Sequence, residues 1–441
     1  MTSIRVPASK SVSHRALIAA ALSLGTSRVK APLKSQDLDR TRECLERLGA
    51  VFQEEGEDLI VRGAGSSLDL TRKGTIALPV GESGTTCRLI TAVAAAFSGT
   101  FHLSGKGRMH ERPIRDLTDG LAPLGPRFDF LEREGFPPFL LKSSGLSGGE
   151  TAVSLEESSQ FLSGLLLAAP LAKAGLTLSI AGDKVVSWPY VGITLQTMQE
   201  FGVEPVLEVL EDGNWNQKGY HDIATVTPGQ VRFRTKPTAY RAREYTVEGD
   251  WSNSSYFLAA SALLPEPLAV TGLNRDSLQG DRAILDILAR MGADVLWEDG
   301  VVSVRGGDLH GIEVDMGHCP DLVPTVSVMA SLAAGTTRIR NVAHLRIKES
   351  DRLMAVSTEL GRVGVRTELF SDGIDIHPSP IQAGTAAQIK TYGDHRIAMS
   401  MSILELAGVI VHPDDPGCVA KSFPAFWEKW EIVRRAYGRT R

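Results

Sequence analysis

The chain has few cysteines and no excess of positive charge, and each shortage excludes a class of protein. Its 441 residues include four cysteines, Cys44, Cys87, Cys319 and Cys418, and none forms a C-x-x-C pair. Such scattered cysteines give no metal-site pattern and favour a reduced protein in the cytoplasm. The formal net charge is −5, whereas a general nucleic-acid-binding protein is normally strongly basic. We therefore expect no nucleic-acid partner.

Motifs for common cofactors are also missing. The segments "GESGTT" (81–86) and "LSGKGR" (103–108) are rich in glycine, but neither matches the phosphate-loop pattern G-x-x-x-x-G-K-[ST]. His14, His110, His344 and His395 lack the spacing of metal ligands, so hydrogen-bonding or surface roles explain them better. We expect neither a metal nor an organic cofactor.

The sequence repeats one pattern six times. An alanine-rich apolar stretch stops near residues 25, 99, 175, 266, 335 and 408, spaced 69 to 91 residues apart, and an alternating stretch typical of a strand follows. The first copy contains an apolar run, residues 16–24, that imitates a secretory signal. Because the pattern recurs five more times, we interpret residues 16–24 as a buried first helix and expect no membrane partner.

Five copies continue with an amphipathic helix that stops at a glycine. These glycines are Gly49, Gly125, Gly202, Gly292 and Gly364, and glycine is the usual residue just beyond a helix end. The pattern predicts an α/β (α+β) fold of six units, each with the order βαβαββ. The stretch 208–222 lengthens the third copy.

The sixth copy lacks its two closing strands, and "SIRVP" (3–7) could supply one of them. We therefore assign the first residues to the C-terminal half. Three units per domain then predict one domain over residues 9–246 and a second over residues 1–8 plus 247–441, with the crossover near "YTVEGDW" (245–251).

Polar residues precede each apolar helix, in "SKSVSHR", "GESGTTCR", "EESSQF", "EGDWSNSS", "CPDLVP" and "YGDHR". Helix N-termini bind anions, and plain capping explains about half of these residues. Capping does not explain Lys10, Arg15, Arg88 and Arg396, since the helix dipole disfavours cations at this end. In "RIKESDRLM" (346–354), Lys348 and Arg352 would repel each other on one helix face. These cations predict a site for polyanions.

Eight motifs together resemble the EPSP synthase (3-phosphoshikimate 1-carboxyvinyltransferase) family. They are "PASKSVSHRAL", "GESGTTCRLI", "RMHERPI", "SSQFLSGLLLAAP", "GDWSNSSYFLAA", "RIKESDRL", "YGDHRIAMS" and "AKSFPAFW". The resemblance implies transfer of the enolpyruvyl group of phosphoenolpyruvate to the 5-hydroxyl of shikimate 3-phosphate, a step towards chorismate and the aromatic amino acids. It implies the enolpyruvyl transferase fold, in which two domains of three units close over an active site in the cleft between them. We expect a monomer.

The resemblance also implies residue roles. The contacts to shikimate 3-phosphate would be Lys10, Ser11, Arg15, Ser158, Ser159, Gln160, Ser187, Asp321, His344 and Lys348. Those to phosphoenolpyruvate would be Lys10, Gly84, Arg112, Gln160, Arg352, Arg396 and Lys421. We expect Asp321 to accept the hydroxyl proton and Glu349 to carry the carbon proton, with Lys10 and Lys421 assisting. The sequence equally allows the two carboxylates to exchange roles.

Several positions depart from the family pattern. Glu82 and His344 stand where asparagine is usual, and Trp188 and Leu89 replace the lysine and proline of some members. Glu82 beside an anion pocket could weaken phosphoenolpyruvate binding. Gly84 is retained where a larger side chain would obstruct glyphosate, so we predict sensitivity to that inhibitor.

Two other functions stay open at this point. The UDP-N-acetylglucosamine enolpyruvyl transferases share the fold and the donor, but they typically carry a reactive cysteine in a loop that here reads "GKGRMHERP". We interpret Cys87, on the preceding helix, as a packed residue. A non-catalytic protein that binds phosphorylated metabolites is the second alternative. Asp321 and Glu349 argue against it, because carboxylates do not help to bind polyanions, whereas Glu82 keeps it open.

Overall fold

The computed structural model describes residues 2–65 and 74–438. The α-helices in these ranges are α1 Lys10–Leu22, α2 Gln36–Arg47, α3 Gly84–Ala95, α4 Arg115–Leu121, α5 Gln160–Ala168, α6 Pro189–Glu200, α7 Trp251–Leu263, α8 Ile284–Arg290, α9 Val323–Ser331, α10 Arg352–Gly361, α11 His395–Met401 and α12 Phe426–Gly438. None of the helices in the described ranges is long and apolar enough to cross a membrane.

The strands are short. They are β1 Ser3–Arg5, β2 Ser23–Leu24, β3 Thr26–Lys30, β4 Val51–Glu55, β5 Asp58–Arg62, β6 Thr75–Gly81, β7 Ser98–Gly105, β8 Arg127–Phe130, β9 Phe139–Ser144, β10 Gly149–Leu155, β11 Leu176–Val185, β12 Val206–Glu211, β13 Asn214–Gln217, β14 Val231–Thr235, β15 Tyr240–Arg241, β16 Glu244–Thr246, β17 Ala269–Thr271, β18 Asp294–Glu298, β19 Val301–Arg305, β20 Glu313–Asp315, β21 Thr337–Arg340, β22 Arg366–Leu369, β23 Ile374–His377, β24 Ala386–Ile389 and β25 Ile410–Pro413.

The contacts divide the chain into two compact units. One, the N-unit, is Ser9–Val247, and the other, the C-unit, is Met1–Ala8 with Glu248–Arg441. The boundary expected from the sequence lies after residue 246. Gly249 follows Glu248, where the chain enters the C-unit, and its amide donates to Gly272 O, just after β17, at 3.1 Å. A Cβ at Gly249 would lie 2.2 Å from that same oxygen, so the close approach of the two backbones requires glycine there.

Besides the short parallel pair of β2 and β15, the described part of the N-unit contains three sheets built on one plan. Their strand orders are β16-β3-β5-β4, β6-β7-β9-β8 and β10-β11-β14-β12-β13. In each, the first two strands are parallel and antiparallel strands complete the sheet. An apolar helix connects the two parallel strands in the second and third sheets, α3 between β6 and β7 and α5 between β10 and β11, whereas β16 lies far along the chain from its partner β3. The lengthened third copy is explained by β13, an additional edge strand that forms a hairpin with β12.

The C-unit contains two sheets of the same plan, β1-β17-β19-β18 and β20-β21-β23-β22, and a parallel pair, β24-β25. The sixth copy indeed lacks closing strands in the described part of the chain. The first strand does belong to this half, but its predicted use is wrong. Strand β1 pairs in parallel with β17 and so opens the fourth copy rather than closing the sixth. In the same way β16, near the crossover, opens the first copy by pairing with β3.

The six predicted apolar helices are confirmed as α1, α3, α5, α7, α9 and α11. Helix α1 is buried from Val12 to Leu22, which confirms that the apolar run is a core helix rather than a signal. The predicted C-terminal end of this helix, residue 24, is wrong. Helix α1 ends at Leu22, Ser23–Leu24 form a short strand, and Leu24 is 63% exposed. Helices α3 and α5 approach closely at Gly164, where a Cβ would lie 3.1 Å from Ala92 Cβ.

The glycines predicted to end the second helices all have positive φ. The angles are 105° at Gly49, 110° at Gly125, 79° at Gly202, 100° at Gly292 and 84° at Gly364, a left-handed conformation that glycine adopts without strain. The predicted helical pairing of Lys348 with Arg352 is wrong. Helix α10 begins at Arg352 and is capped by Asp351, whose carboxylate accepts from Met354 N at 3.0 Å, so Lys348 precedes the helix.

Candidate active site

The C-unit buries an arginine among three carboxylates. The guanidinium of Arg352 donates to Asp321 Oδ1 at 2.7 Å, to Glu349 Oε2 at 2.7 Å and to Asp394 Oδ2 at 2.8 Å, and the Arg352 side chain is 2% exposed. We call these four residues the Arg352 cluster. Buried charges are stable only when paired and hydrogen-bonded, and a guanidinium suits several carboxylates at once. The cluster therefore fixes the positions of Asp321 and Glu349 relative to each other.

Asp394 is the fully buried member of the Arg352 cluster, with a side chain 0% exposed. Its carboxylate caps α11 by accepting from Arg396 N at 3.0 Å, and it also accepts from Ser350 Oγ at 2.9 Å. The positive end of the helix and these donors stabilise its negative charge. Asp394 thus holds Arg352 in place, whereas sequence reasoning singled out Arg396 in "YGDHR" and gave Asp394 no role in the site.

Asp321 is the most accessible carboxylate of the cluster, with a side chain 23% exposed. It accepts from Arg352 and also from Arg396 Nη2 at 2.7 Å. Burial would raise the pKa of Asp321, but the charges of Arg396 and Arg352, with a smaller effect of Lys348, outweigh burial and lower the pKa to about 2. In return, the three carboxylates raise the pKa of Arg352 despite its burial. Asp321 is therefore ionised at neutral pH.

Further predicted residues lie near the Arg352 cluster. Lys421 Nζ donates to Gly393 O at 2.8 Å, next to Asp394 in the chain. His344 is buried on the 3-10 helix Ala343–Ile347 that leads to Lys348. Tyr256 was not predicted; burial raises the pKa of its hydroxyl, and the charge of Arg396 opposes that rise. The Tyr256 phenol therefore stays protonated beneath this region.

The N-unit buries Arg15, which is 1% exposed, among neutral oxygens. Its guanidinium donates to Thr194 Oγ1 at 2.7 Å, Ser11 O at 2.9 Å, Tyr190 O at 3.1 Å and Ser163 Oγ at 3.2 Å. Burial lowers the pKa of Arg15 to about 10, so it stays charged at neutral pH. These partners carry no negative charge, so its positive charge is not neutralised locally.

Lys10 starts α1 and pairs with Asp37 at the start of α2, with Nζ 3.2 Å from Oδ2. A chain of buried hydrogen bonds continues from Asp37: Thr86 Oγ1 lies 3.2 Å from Asp37 O and 2.7 Å from Thr41 Oγ1, and Thr41 Oγ1 lies 2.8 Å from His14 Nδ1. Burial and the charge of Lys10 lower the pKa of His14 well below its usual value, so this imidazole is neutral. The chain ties the starts of α1, α2 and α3 together.

The start of α5 is linked to α3 by polar side chains. Arg88 donates to Gln160 Oε1 at 2.9 Å and to Ser158 Oγ at 3.3 Å. Gln160 in turn donates through Nε2 to Thr85 Oγ1 at 2.9 Å. Ser159 is buried beside them, and its carbonyl accepts from Ser163 N at 3.1 Å. Three predicted phosphate contacts thus share one buried corner with a cation.

Gly84 and Arg112 are in direct contact at the start of α3. A Cβ at Gly84 would lie 2.4 to 2.6 Å from the guanidinium atoms of Arg112, so glycine is needed for this arginine position. Arg112 also donates to Glu82 O at 3.5 Å. The exposed Glu82 carboxylate lies over Gly107, where a Cβ would be 2.4 Å from Glu82 Oε1. Glu82 is therefore directed at the 3-10 helix Gly107–Glu111.

The structure thus gathers the predicted residues of each unit. In the N-unit, Lys10, Ser11, Arg15, Gly84, Arg112, Ser158, Ser159, Gln160 and Ser187 lie at or beside the starts of α1, α3, α5 and α6. Sequence reasoning missed Asp37, Thr194 and Ser163, which hold Lys10 and Arg15. The sequence gives no local pattern for these contacts, because the partners are distant along the chain. For Asp37, the available signal was its place in the first turn of α2, where an acidic residue is favoured.

The cysteines are buried and free of disulfides. Burial raises the pKa of Cys87 to about 11 and that of Cys44 to about 12, so neither thiol is a ready nucleophile. The interpretation of Cys87 as a packed residue is confirmed. Within residues 2–65 and 74–438, histidine, cysteine and acidic side chains form no group of three that could hold a metal ion.

The ionisation of Asp321 should make the unfolding free energy depend on pH in the acidic range. Its pKa of about 2 is below the value of about 3.9 in an unfolded chain. The carboxylate therefore stabilises the fold above about pH 4, and this contribution is lost as the pH falls towards 2, because protonation weakens both arginine contacts. We expect the unfolding free energy of the parent to exceed that of Asp321→Asn by on the order of 2 kcal/mol at pH 5, and this gap to close near pH 2.

Chemical denaturation at pH 5, 4, 3 and 2 measures the gap, and Asp308→Asn, which changes an exposed carboxylate of the same unit, is the control. A gap that stays constant over this range would show that Asp321 is not held ionised by its arginines.

Comparison with known proteins agrees with this geometry. A family model described as EPSP synthase (3-phosphoshikimate 1-carboxyvinyltransferase) matches residues 1–430. Proteins named 3-phosphoshikimate 1-carboxyvinyltransferase from Sulfurovum sp. (strain NBC37-1) and Aeromonas salmonicida (strain A449) are 40% and 39% identical to this chain, over 98% of it and 96% of theirs.

Two solved structures share the fold. EPSP synthase from Acinetobacter baumannii is 24% identical with a TM-score of 0.74, and the enolpyruvyl transferase NikO from Streptomyces tendae is 16% identical with a TM-score of 0.72. Each comparison covers 98% of this chain and 95% of the other. The predicted enolpyruvyl transferase fold is confirmed, and the full-length matches in sequence show that the chain belongs to the EPSP synthase family.

Proposed function

We propose that this chain transfers the enolpyruvyl group of phosphoenolpyruvate to the 5-hydroxyl of shikimate 3-phosphate, with the Arg352 cluster supplying the proton chemistry. The observation that carries the proposal is the arrangement of Asp321 and Glu349 on one buried guanidinium, at 2.7 Å each. A reaction that must both give and take a proton needs two acid–base groups in fixed positions. Retention of this pair speaks against a protein that only binds phosphorylated metabolites.

The N-unit binds the acceptor in this proposal. Ser158, Ser159 and Gln160 hold the phosphate of shikimate 3-phosphate, and Ser187 joins them from the start of α6. Arg15 makes four hydrogen bonds within the unit, so it acts mainly as a fixed positive charge beneath the site. Ser11 and Lys10 contribute from the same helix end, where backbone N–H groups favour an anion.

Phosphoenolpyruvate, the second anion, needs cations from both units. Arg112 in the N-unit is a fork suited to a carboxylate or phosphate, and Gly84 gives it room. Arg352, Arg396 and Lys421 are the C-unit cations, and Lys348 with His344 serves the shikimate side. We propose that both sets of cations act on one pair of ligands. That would make one chain sufficient for the site, which supports a monomer.

The reaction proceeds by addition and elimination. Glu349 delivers a proton to the methylene carbon of phosphoenolpyruvate while the 5-hydroxyl oxygen attacks the adjacent carbon and its proton passes to Asp321. In the second step the bond between the central carbon and the phosphate oxygen breaks, and the proton held by Asp321 passes to the departing phosphate. A methyl proton returns to Glu349 and the carbon–carbon double bond forms again. Lys10 and Lys421 stabilise the negative charge of the phosphate as it leaves.

The acid–base assignment rests on the different partners of the two carboxylates. Both carboxylates accept from Arg352, and Asp321 accepts from Arg396 as well. Asp321 with a pKa of about 2 is a weak base in the free protein. Because donor binding brings negative charge to Arg352 and Arg396, it weakens their hold on Asp321 and raises its pKa towards a useful range.

The alternative enolpyruvyl transfer to UDP-N-acetylglucosamine is disfavoured by the thiols. Cys87 is fully buried and its pKa is raised by burial to about 11, so it cannot supply a reactive thiolate. Four buried free thiols also support a reducing compartment, and we propose the cytoplasm.

Replacing Asp321 or Glu349 should greatly slow turnover without preventing folding. We expect phosphate release from shikimate 3-phosphate plus phosphoenolpyruvate to fall about 10²- to 10⁴-fold in Asp321→Asn and in Glu349→Gln, since general acid–base catalysis contributes factors of this size. The product is identified by mass, and Glu368→Gln, an exposed change in the same unit, should keep parental activity.

A parent that binds shikimate 3-phosphate but releases no phosphate would contradict the transfer reaction. Parental rates in both variants would contradict the role of the Arg352 cluster.

Gly84→Ala should weaken donor binding selectively. The new Cβ would lie within 2.6 Å of the Arg112 guanidinium, so that side chain must shift away from the pocket. We expect the KM for phosphoenolpyruvate to rise about tenfold, equivalent to about 1.4 kcal/mol, with the KM for shikimate 3-phosphate within twofold. Glyphosate, which inhibits the parent in this account, should inhibit the variant less. Steady-state kinetics with varied glyphosate measures both.

Gly361→Ala is the matched control, because nothing lies within 4 Å of a Cβ there. If Gly84→Ala leaves the KM for phosphoenolpyruvate and the inhibition by glyphosate unchanged, the position of Arg112 against Gly84 does not determine donor binding.

A further inference from the structure

Ser187 lies in a strained corner between β11 and α6. Its φ is +56°, a left-handed conformation that residues other than glycine adopt only when surrounding contacts impose it. Ser187 is 7% exposed. Its carbonyl accepts from Tyr190 N at 3.2 Å, and the carbonyl of Trp188 accepts from Val191 N at 2.8 Å. We call residues 187–190 the Ser187 corner.

One side of the Ser187 corner is fixed by α1 and α6. Tyr190 O accepts from Arg15 Nη2 at 3.1 Å and from Thr194 Oγ1 at 3.0 Å. The corner is therefore connected to the cation that lies beneath the proposed acceptor site. These bonds restrain the C-terminal end of the corner, at Tyr190. The N-terminal end, at Ser187, depends on other contacts.

Trp188 fixes the other side. It is 3% exposed, and its ring lies 6.3 Å from that of buried Phe233 in β14. The indole Nε1–H donates to Ile223 O at 2.9 Å. A buried indole needs such an acceptor, so the position of Trp188 depends on where Ile223 lies.

Ile223 belongs to a stretch between β13 and β14 that we call the return segment, residues 218–227. Lys218 N donates to Leu207 O at 2.9 Å, and the Tyr220 hydroxyl donates to Gln199 Oε1 at 2.8 Å. Most of the segment is exposed, including Ala224 and Thr225. The hydrogen bond from the buried Trp188 indole to Ile223 O therefore connects this exposed segment to the core. A change in the conformation of the segment can alter the conformation of the Ser187 corner through this bond.

We propose that Trp188 is a positioning residue for the acceptor, because its hydrogen bond to Ile223 O couples the return segment to the Ser187 corner. This inference rests on the proposed function, in which Ser187 contacts the phosphate of shikimate 3-phosphate. It also explains the lengthened third copy, since β12 and β13 lead the chain to the point where Ile223 meets Trp188. By linkage, acceptor binding must in turn order the return segment.

The test uses the full chain with Trp188→Phe, which keeps an aromatic ring and removes the N–H donor. We expect the KM for shikimate 3-phosphate to rise about five- to tenfold, the effect of one lost hydrogen bond, while kcat and the KM for phosphoenolpyruvate stay within twofold. Trp215→Phe is the control, because it makes the same replacement in β13 of the same unit, outside both the return segment and the Ser187 corner; it should leave all three constants within twofold. If Trp188→Phe does not fold, benzothienylalanine at position 188 replaces the N–H with sulfur in a ring of the same shape.

Hydrogen exchange with and without shikimate 3-phosphate gives a second readout. In the parent, the ligand should slow exchange of the amides in 187–191 and 218–227, and in Trp188→Phe the protection of 218–227 should be lost. If the parent turns over but shikimate 3-phosphate does not protect residues 218–227, the coupling through Trp188 is refuted and the transfer reaction stands. An unchanged KM for shikimate 3-phosphate in Trp188→Phe refutes the coupling in the same way. Protection without any turnover overturns the transfer reaction and still supports the coupling.

Discussion

The structure of the C-unit depends on one buried guanidinium. Arg352 contacts Asp321, Glu349 and Asp394, three carboxylates from three different segments. Removing the guanidinium would leave three carboxylates without the partner they share, and breaking a buried ion pair from one side typically costs about 3 to 5 kcal/mol. The starts of α10 and α11 are consequently held together by electrostatics rather than by apolar packing alone. This explains how two carboxylates can be kept in a reactive position inside a protein.

The N-unit uses the opposite solution for its buried cation. Arg15 is surrounded by hydroxyl and carbonyl oxygens, so its charge is solvated but not neutralised, and burial lowers its pKa to about 10. An anionic ligand would complete this site, whereas in the C-unit the protein already supplies the negative charge. The two units therefore stabilise a buried guanidinium in different ways, Arg15 by neutral oxygens and Arg352 by carboxylates.

Much of the fold could be predicted because its signals are local. Apolar helices and positive-φ glycines such as Gly49 and Gly292 leave a pattern that repeats along the chain. The partner of β1 could not be predicted, since its parallel pairing with β17 joins segments more than 260 residues apart. For the site, the family motifs identified Asp321 and Arg352, but Asp394 was not singled out, because an aspartate just before a helix is also the ordinary residue for a cap. Lys348 was assigned to a helix that begins only at Arg352.

The most direct test of the account is deuterium exchange into phosphoenolpyruvate. The parent is incubated in D2O with shikimate 3-phosphate and phosphoenolpyruvate, and deuterium at the methylene carbon of recovered donor and product is measured by NMR. The account predicts incorporation in the parent and its loss in Glu349→Gln, with binding of shikimate 3-phosphate retained within a few-fold, because Glu349 carries the carbon proton. Incorporation at the parental rate in Glu349→Gln, or turnover by the parent without any deuterium at carbon, would contradict it.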